Sequence, residues 1–325
     1  MALPSRRSLL AQFGILAAGA AGAWFIRDRV LWSAPEISFS PGLAWSGWLP
    51  FPAERRVIIV EVAVDGTPVK ALIDSGAQSS AVDLALVQRL GLAVTAMAPV
   101  VAFGVSGAAQ IGRAASLNVQ AGDLTLRRLK AAALQLGPIT QTGVSLILGQ
   151  DVLRHLLADI DFPNGRIAFR DAEAFVAPAG AIQAPARVQG RALSTVVAIE
   201  SSRLDVVVDT GASSALALSS DTAQTLGLLS GEAAASTPSI IFGGVSHDRV
   251  VNVDSVEFAG QLYQDVPVQV FTSQAVARVP KGLLGVGLLD RFRVFLDLGH
   301  GKLSLLPEAD SDLVRAWRRR PRVED

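Results

Sequence analysis

Short runs of aliphatic and β-branched residues, separated by small polar turns, dominate the chain from residue 57 to residue 306. Runs of this kind predict β-strands, and two runs around a short polar turn predict a β-hairpin. Two such hairpins are predicted: VIIVEVAV (57–64) with VKALIDSGA (69–77) around Asp65-Gly66, and LSTVVAIE (193–200) with RLDVVVDTGA (203–212) around Ser201-Ser202.

The second half of this region repeats the motifs of the first half in the same order. Asp74 and Asp209 are 135 residues apart, and the segments RLGL and TLGL each close a predicted short helix. Three glycine pairs lie 136 residues apart and a fourth lies 140 apart, in the order Gly91/Gly227, Gly149/Gly285, Gly165/Gly301 and Gly104/Gly244. A fixed offset over ordered motifs indicates a duplicated unit.

The repeat predicts two all-β lobes, each with one or two short helices. The first lobe spans 56–173 and the second spans 187–306, joined by an Ala- and Pro-rich linker at 174–186. Related lobes in one chain imply a pseudo-twofold axis between them.

The N-terminus has the pattern of a targeting segment. Arg6-Arg7 stands in SRRSLL, directly before an apolar run from Leu9 to Ile26, and this resembles a twin-arginine export signal. Residues 1–26 are therefore predicted to be a cleaved signal or a retained membrane anchor, with a buried N-terminal helix as the third possibility. Either favoured case predicts that the lobes are periplasmic, or anchored to the inner membrane outside the cytoplasm.

The segments that flank the lobes have less pattern. Residues 27–55 contain four prolines and show no clear hydrophobic period. This predicts a linker or an extended arm, with a pro-segment as an alternative. Residues 307–325 include RAWRRRPR and predict a basic, solvated tail, with contact to anionic lipid as the other possibility.

Composition then removes several chemistries. The 29 Lys and Arg balance the 29 Asp and Glu, which argues against a nucleic-acid partner. Without cysteine the chain has no disulfides, Cys-zinc sites or thiol catalysis, and its 3 histidines form no HExxH motif. We therefore expect no metal and no cofactor.

Two acids stand where apolar strands end, at Asp74 and Asp209. If the pseudo-twofold axis brings these two loops together, the carboxyls must share a proton, because two neighbouring carboxylates do not both ionise cheaply. One is then a base while the other is an acid. Such a pair can activate water and protonate a carbonyl oxygen, which is general acid–base hydrolysis of an acyl bond without a metal.

The residues after each acid fit a supporting role. The hydroxyls of Ser75 and Thr210 are predicted to hydrogen-bond to the opposite loop and fix its geometry. Gly76 and Gly211 allow a tight turn and a close approach of backbone to carboxylate.

The doubled Asp-[Ser/Thr]-Gly-Ala motif, with Ile147-Leu148-Gly149 and Leu283-Leu284-Gly285 downstream, resembles the aspartic proteases. The lobe length is closer to retropepsin-like bacterial members, whereas two lobes in one chain resemble pepsin. The resemblance covers roughly residues 56–306. It implies the two-lobed aspartic-protease fold, a catalytic dyad of Asp74 and Asp209, a peptide substrate in extended conformation, and a complete site in a monomer.

The resemblance also implies flap hairpins within 100–112 and 240–250. Neither segment has the tyrosine of pepsin-type flaps, since Tyr263 is the only tyrosine in the chain. The candidate flap contacts are Phe103, Gly104, Phe242 and Gly243.

Competing interpretations remain at this point. The leading function is an exported aspartic endopeptidase, and the alternatives are a catalytically silent peptide-binding module of the cell envelope and a structural β-protein. Asp161 and Asp297 match between the lobes but precede turns, so they are assigned a structural role. Ser106 lacks the glycine that a nucleophile elbow requires, and His247 is interpreted as a solvated loop residue.

Overall fold

The computed structural model describes residues 33–53, 56–95, 100–103, 109–230, 235–241, 244–271 and 280–307. None of the helices in these ranges has the length and apolar composition that a transmembrane span requires. Several of the sequence predictions concern parts of the chain outside this description. They are the export segment, the arginine-rich tail, Ser106 and the side chain of His247.

Strands account for most of the described chain. The first half contains β1 Glu36–Phe39, β2 Leu49–Pro50, β3 Ile59–Val64, β4 Thr67–Ile73, β5 Ala81–Asp83, β6 Val100–Phe103, β7 Ala109–Ala121, β8 Leu124–Leu134, β9 Val144–Leu148, β10 Leu157–Asp161 and β11 Arg166–Arg170. The second half contains β12 Ile182–Ala184, β13 Ala186–Gln189, β14 Ala192–Ile199, β15 Ser202–Val208, β16 Leu216–Ser219, β17 Ala235–Ile241, β18 Gly244–Phe258, β19 Gln261–Phe271, β20 Gly282–Leu284, β21 Phe292–Asp297 and β22 Lys302–Pro307.

The helices are short and occur at equivalent places in the two halves. They are α1 Leu84–Leu90, α2 Gln150–Leu153, α3 Ser220–Thr225 and α4 Val286–Leu289, with a 3₁₀ helix at Gly137–Thr142. Helix α1 begins at Asp83, whose side chain accepts a hydrogen bond from Ala85 N–H, and ends at Gly91 in the left-handed region with φ 62°.

Each half closes into a six-stranded barrel. In the first, hydrogen bonding runs through β8-β5-β9-β4-β3-β7, and β7 returns to β8. In the second, the order is β14-β15-β20-β16-β19-β18, and β18 returns to β14. Strand β3 shows why the sequence forms such a wall, because Val60, Val62 and Val64 face the core while Glu61 is exposed.

A six-stranded sheet joins the two barrels. Its order is β12-β22-β21-β10-β11-β2, so the first lobe supplies β10 and β11 and the second supplies β21 and β22. The antiparallel pair at its centre places Ile160 opposite Val294 across the boundary between the lobes. The protein therefore has the two all-β lobes that the repeat predicted, in the two-lobed arrangement that the resemblance to aspartic proteases implied.

A buried ion pair also crosses this sheet. Asp159 is fully buried and accepts hydrogen bonds from Arg170 Nε (2.7 Å) in its own lobe and from Arg293 Nε (2.7 Å) in the other lobe. The arm lies over these arginines, with the Arg293 guanidinium 5.2 Å from the centre of the Trp48 ring. Asp161 and Asp297 are structural, as expected: Asn164 Nδ2 donates to Asp161 and His300 N–H donates to Asp297.

One predicted turn is displaced. The first hairpin turns at Asp65-Gly66 as predicted, with φ 44° and 82°. In the second, Ile199 pairs with Ser202, so the turn is Glu200-Ser201 rather than Ser201-Ser202. Glu200 adopts φ 52°, a left-handed conformation that glutamate seldom takes, which is why sequence favoured the serines.

Candidate active site

Asp74 and Asp209 follow equivalent strands, β4 and β15. Each of these strands runs parallel to a partner, β9 or β20, that comes from later in the same lobe. Asp74 N–H donates to Leu148 C=O (3.0 Å), and Asp209 N–H donates to Leu284 C=O (2.9 Å). The last ladder bond of each pair therefore fixes the backbone of an acid at the point where the strand ends.

The hydroxyls of Ser75 and Thr210 tie the two loops together reciprocally. Ser75 N–H donates to Thr210 Oγ1 (3.0 Å), and Thr210 N–H donates to Ser75 Oγ (3.0 Å). Each hydroxyl then donates across the axis, Ser75 Oγ to Val208 C=O (2.7 Å) and Thr210 Oγ1 to Ile73 C=O (2.8 Å). Both side chains are buried. The four bonds form a symmetric cross-link between the lobes.

The glycines of the two motifs face the opposite acids. A Cβ on Gly76 would lie 2.6 Å from Asp209 Cγ, and a Cβ on Gly211 would lie 2.6 Å from Asp74 Cγ. No side chain fits at such distances, so glycine is required here for close approach rather than for a turn. The structure therefore brings together six of the predicted site residues: Asp74, Ser75, Gly76, Asp209, Thr210 and Gly211.

The electrostatics of the pair are unequal. Asp74 Oδ1 accepts hydrogen bonds from Gly76 N–H (2.9 Å) and Ala77 N–H (3.0 Å), whereas Asp209 Oδ1 accepts one from Gly211 N–H (2.9 Å). Burial raises the pKa of Asp74, opposed by its two backbone donors. Burial, followed by repulsion from Asp74, raises the pKa of Asp209 to about 8. The two carboxyls therefore titrate as a coupled pair, and between their two titration steps one is ionised while the other is protonated.

The segments after β9 and β20 support the loops from below. A Cβ on Gly149 would lie 2.7 Å from Ala77 O, and one on Gly285 would lie 2.2 Å from Ser214 O. Gln150 N–H donates to Ala77 C=O (2.8 Å), and Val286 N–H donates to Ala212 C=O (2.8 Å). Both glycine segments thus lie directly under the two acid-bearing loops.

Sequence reasoning missed a polar brace that only the first lobe has. Asp151 accepts hydrogen bonds from Ser80 N–H (2.9 Å) and Ser80 Oγ (2.7 Å), and burial raises its pKa. Gln150 is 1% exposed, and its Nε2 donates to Ser75 C=O (2.7 Å). The second lobe has Val286 and Gly287 at the matching positions, and this break in the repeat was the available signal.

In both segments predicted to be flaps, the described residues form antiparallel strand pairs. Strand β6 pairs with β7 from Val100 to Phe103, and β17 pairs with β18 up to Ile241, opposite Gly244. Of the candidate flap contacts, Phe103 ends β6, but its side chain is outside the description. Gly104, Phe242 and Gly243 also lie outside the described residues. In the described part of the chain, no group of three or more His, Asp or Glu residues has the spacing of a metal site.

Comparison with protein families agrees with this geometry. Residues 60–155 match a family described as "gag-polyprotein putative aspartyl protease", and residues 195–288 match the family "Aspartyl protease". Each match contains one of the two acids, and together they cover more than half of the chain.

The alignments with individual relatives are each about as long as one lobe. DNA damage-inducible protein 1 of Eremothecium gossypii is 32% identical over 111 residues, which are 34% of this chain and 22% of that protein. The protein of the same name from Kluyveromyces lactis is 28% identical over 119 residues, which are 36% of this chain and 27% of that protein. The chain thus spans about a quarter of the length of these curated relatives.

Among solved structures, a retropepsin-like aspartic protease from Rickettsia conorii is 23% identical. The alignment covers 40% of this chain and 94% of that one, with a TM-score of 0.31, so the family assignment rests on the two family matches. On those matches, one to each lobe, the chain belongs to the aspartyl protease family.

Proposed function

We propose that Asp74 and Asp209 form one catalytic dyad, which hydrolyses peptide bonds through an activated water. The proposal rests on the close approach of the two loops at the pseudo-twofold axis. There the Asp209 carboxyl lies against Gly76, and the Asp74 carboxyl lies against Gly211. The Ser75–Thr210 cross-link fixes that contact.

The chemistry follows from one shared proton. The ionised carboxyl takes a proton from a water bound between the two acids, and the protonated carboxyl gives its proton to the carbonyl oxygen of the scissile bond. The water oxygen bonds to the carbonyl carbon, which yields a neutral gem-diol intermediate. When the C–N bond breaks, the carboxyl that took the water's proton gives it to the leaving nitrogen, and the other carboxylate takes a proton from one gem-diol hydroxyl, whose oxygen becomes the C=O of the new carboxyl end. The pair therefore returns to its starting state with one proton.

The proposed substrate is a polypeptide in extended conformation. Its support is that β6 and β17, the outer strands of the two hairpins, stand at the ends of their sheets in the described chain. An extended peptide can pair with such strands through its backbone, which gives affinity without a fixed sequence.

Replacing each acid with Asn tests the dyad. Asn keeps the shape of Asp but does not titrate, so a lone carboxyl cannot serve as acid and base together. Asp74→Asn and Asp209→Asn should each lose at least about a hundredfold in kcat, within the range of general acid–base contributions. The double variant should be little worse, because residues that act as a unit are non-additive.

The assay is cleavage of an unfolded protein from acid to neutral pH, with and without a peptide inhibitor that mimics the transition state. Wild-type protein that binds the peptide without cleaving it at any pH would replace the protease proposal with the silent peptide-binding module. Full cleavage by folded Asp74→Asn would remove the dyad.

We further propose that a monomer is active, since both acids come from one chain and the lobes share the central β10–β21 pair. Sedimentation of active protein at low concentration tests this. Activity that falls with the square of concentration as a dimer dissociates would contradict it.

We also propose that residues 1–26 direct export by the twin-arginine route, on the strength of Arg6-Arg7 before the apolar run. Replacing both arginines with lysine should leave the protein in the cytoplasm. Unchanged export of that variant would exclude the twin-arginine route.

A further inference from the structure

Gln150, the first residue of α2, is 1% exposed and makes an unusual contact with the first acid-bearing loop. Its Nε2 lies 2.7 Å from Ser75 O and 3.5 Å from Gly76 O. Its Oε1 is buried and makes no hydrogen bond within the described residues, so the two carbonyls alone determine which way the carboxamide faces.

Those two carbonyls belong to the peptide units that bind Asp74. The Ser75 carbonyl shares its peptide unit with the Gly76 N–H, and the Gly76 carbonyl shares its unit with the Ala77 N–H. Both N–H groups donate to Asp74 Oδ1, at 2.9 and 3.0 Å. The Gln150 carboxamide therefore contacts the carbonyl oxygens of the same two peptide units whose N–H groups donate to Asp74. A donor on the carbonyl orients each unit and polarises its N–H, which strengthens the bond to an ionised carboxylate.

The matching position of the second lobe carries no such donor. The residue that follows Gly285 is Val286, whose side chain cannot donate a hydrogen bond. There Gly211 N–H donates to Asp209 Oδ1 at 2.9 Å, while Ala212 N–H donates to the main-chain oxygen of Asp209 at 3.3 Å. Ala212 N–H also lowers the pKa of Asp209, but only Asp74 accepts two backbone N–H groups within hydrogen-bond distance of one carboxyl oxygen, and its lobe is the one with the carboxamide.

We propose that Gln150 is a positioning residue that keeps the negative charge of the pair on Asp74 and leaves the shared proton on Asp209. The inference rests on the proposed dyad and assigns its roles: Asp74 is the base toward water, and Asp209 is the acid toward the carbonyl oxygen. The pseudo-twofold axis would otherwise make the two roles interchangeable, and the residue that breaks the symmetry stands behind the loop, out of reach of substrate.

Titration of the two carboxyl carbons by ¹³C NMR tests this without requiring hydrolysis. The protein is labelled with [γ-¹³C]aspartate, and the two resonances are assigned by their loss in Asp74→Asn and Asp209→Asn. In wild-type protein the lower titration step should appear mainly at Asp74. Gln150→Met keeps the approximate volume and removes the donor, so this step should rise by roughly 0.5 to 1 pH unit.

A matched variant separates positioning from general loosening of the helix. Val152→Ala removes buried atoms from α2 without touching the Ser75 or Gly76 carbonyls, so it should lower stability and leave both titration steps in place. If Gln150→Met does not fold, Gln150→Val, which copies the residue at position 286, takes its place.

The outcomes are distinct. A lower step that starts at Asp209 in wild-type protein, or that does not move in a folded Gln150 variant, overturns the inference even if the protein cleaves peptides. The expected shift in a protein that cleaves nothing would keep the proton assignment and remove the proposed function instead. Equal shifts in the Gln150 and Val152 variants would show a merely structural role and also overturn the inference.

Discussion

The buried acid of the second lobe should make the protein less stable as pH rises, and Asp209→Asn should remove that loss. The folded-state pKa of Asp209 is about 8, above the ordinary 3.8. A carboxyl with a raised pKa binds its proton more tightly when folded. Its contribution to stability is therefore fully present below about pH 4 and is lost as pH rises through 8.

The size of the effect follows from the interval between those two pKa values. From 3.8 to about 8 is roughly 4 pH units, and each unit corresponds to about 1.4 kcal/mol. Wild-type protein should therefore lose on the order of 6 kcal/mol of unfolding free energy between pH 4 and pH 9, and the Asn variant should not. At pH 4 the two proteins should be nearly equal, because a protonated carboxyl and a carboxamide both donate to Asp74.

The assay is chemical denaturation of both proteins at several pH values, with the difference in free energy of unfolding plotted against pH. Asp254→Asn, which removes an exposed carboxylate from β18, is the matched control for loss of a negative charge. Wild-type and Asp209→Asn curves that stay parallel from pH 4 to pH 9 would show that Asp209 is not held in its protonated form, and the shared-proton account would fail.

Three further outcomes follow from the same contacts. Gly76→Ala should fold poorly or lose at least about a hundredfold in kcat, because its Cβ would lie 2.6 Å from Asp209 Cγ; wild-type turnover in this variant would contradict the geometry. Ser75→Ala should cost about 1–3 kcal/mol in urea denaturation, and adding Thr210→Val should cost less than the sum, since both belong to one cross-link; strict additivity would argue against that link. Asp159→Asn should cost about 3–5 kcal/mol because it leaves two arginines without their buried carboxylate; a loss below 1 kcal/mol would show that the pair does not hold the lobes together.

The duplicated strands could be predicted from sequence because their hydrophobic pattern is local and occurs twice. The repeat placed Asp74 and Asp209 at equivalent strand ends, and the structure brings those ends together. The strand in the N-terminal arm was harder to predict. Strand β1 is extended because it pairs with β8, where Phe39 lies opposite Leu124. Such non-local pairing depends on the partner surface rather than on the four residues themselves.

The polar brace escaped prediction for a different reason. The repeat was recognised by what the lobes share, and Gln150 and Asp151 stand where they differ. A carboxamide that holds two carbonyls 75 and 74 positions away along the chain leaves no local pattern. Asymmetry inside an otherwise regular repeat is therefore the sequence signal that points to unequal roles.

The central claim is that two carboxyls sharing one proton hydrolyse the peptide bond, and the pH dependence of kcat/KM tests it most directly. The account predicts a bell-shaped dependence of kcat/KM on pH. Its acid limb should lie above the ordinary carboxyl pKa of 3.8, since burial raises the pKa of Asp74, and its alkaline limb should fall near pH 8, where Asp209 loses its proton. Both limbs should vanish with the activity in Asp74→Asn and in Asp209→Asn. A rate that stays level through pH 8 to 10 in wild-type protein, or a folded single variant that keeps the wild-type bell, would contradict the account.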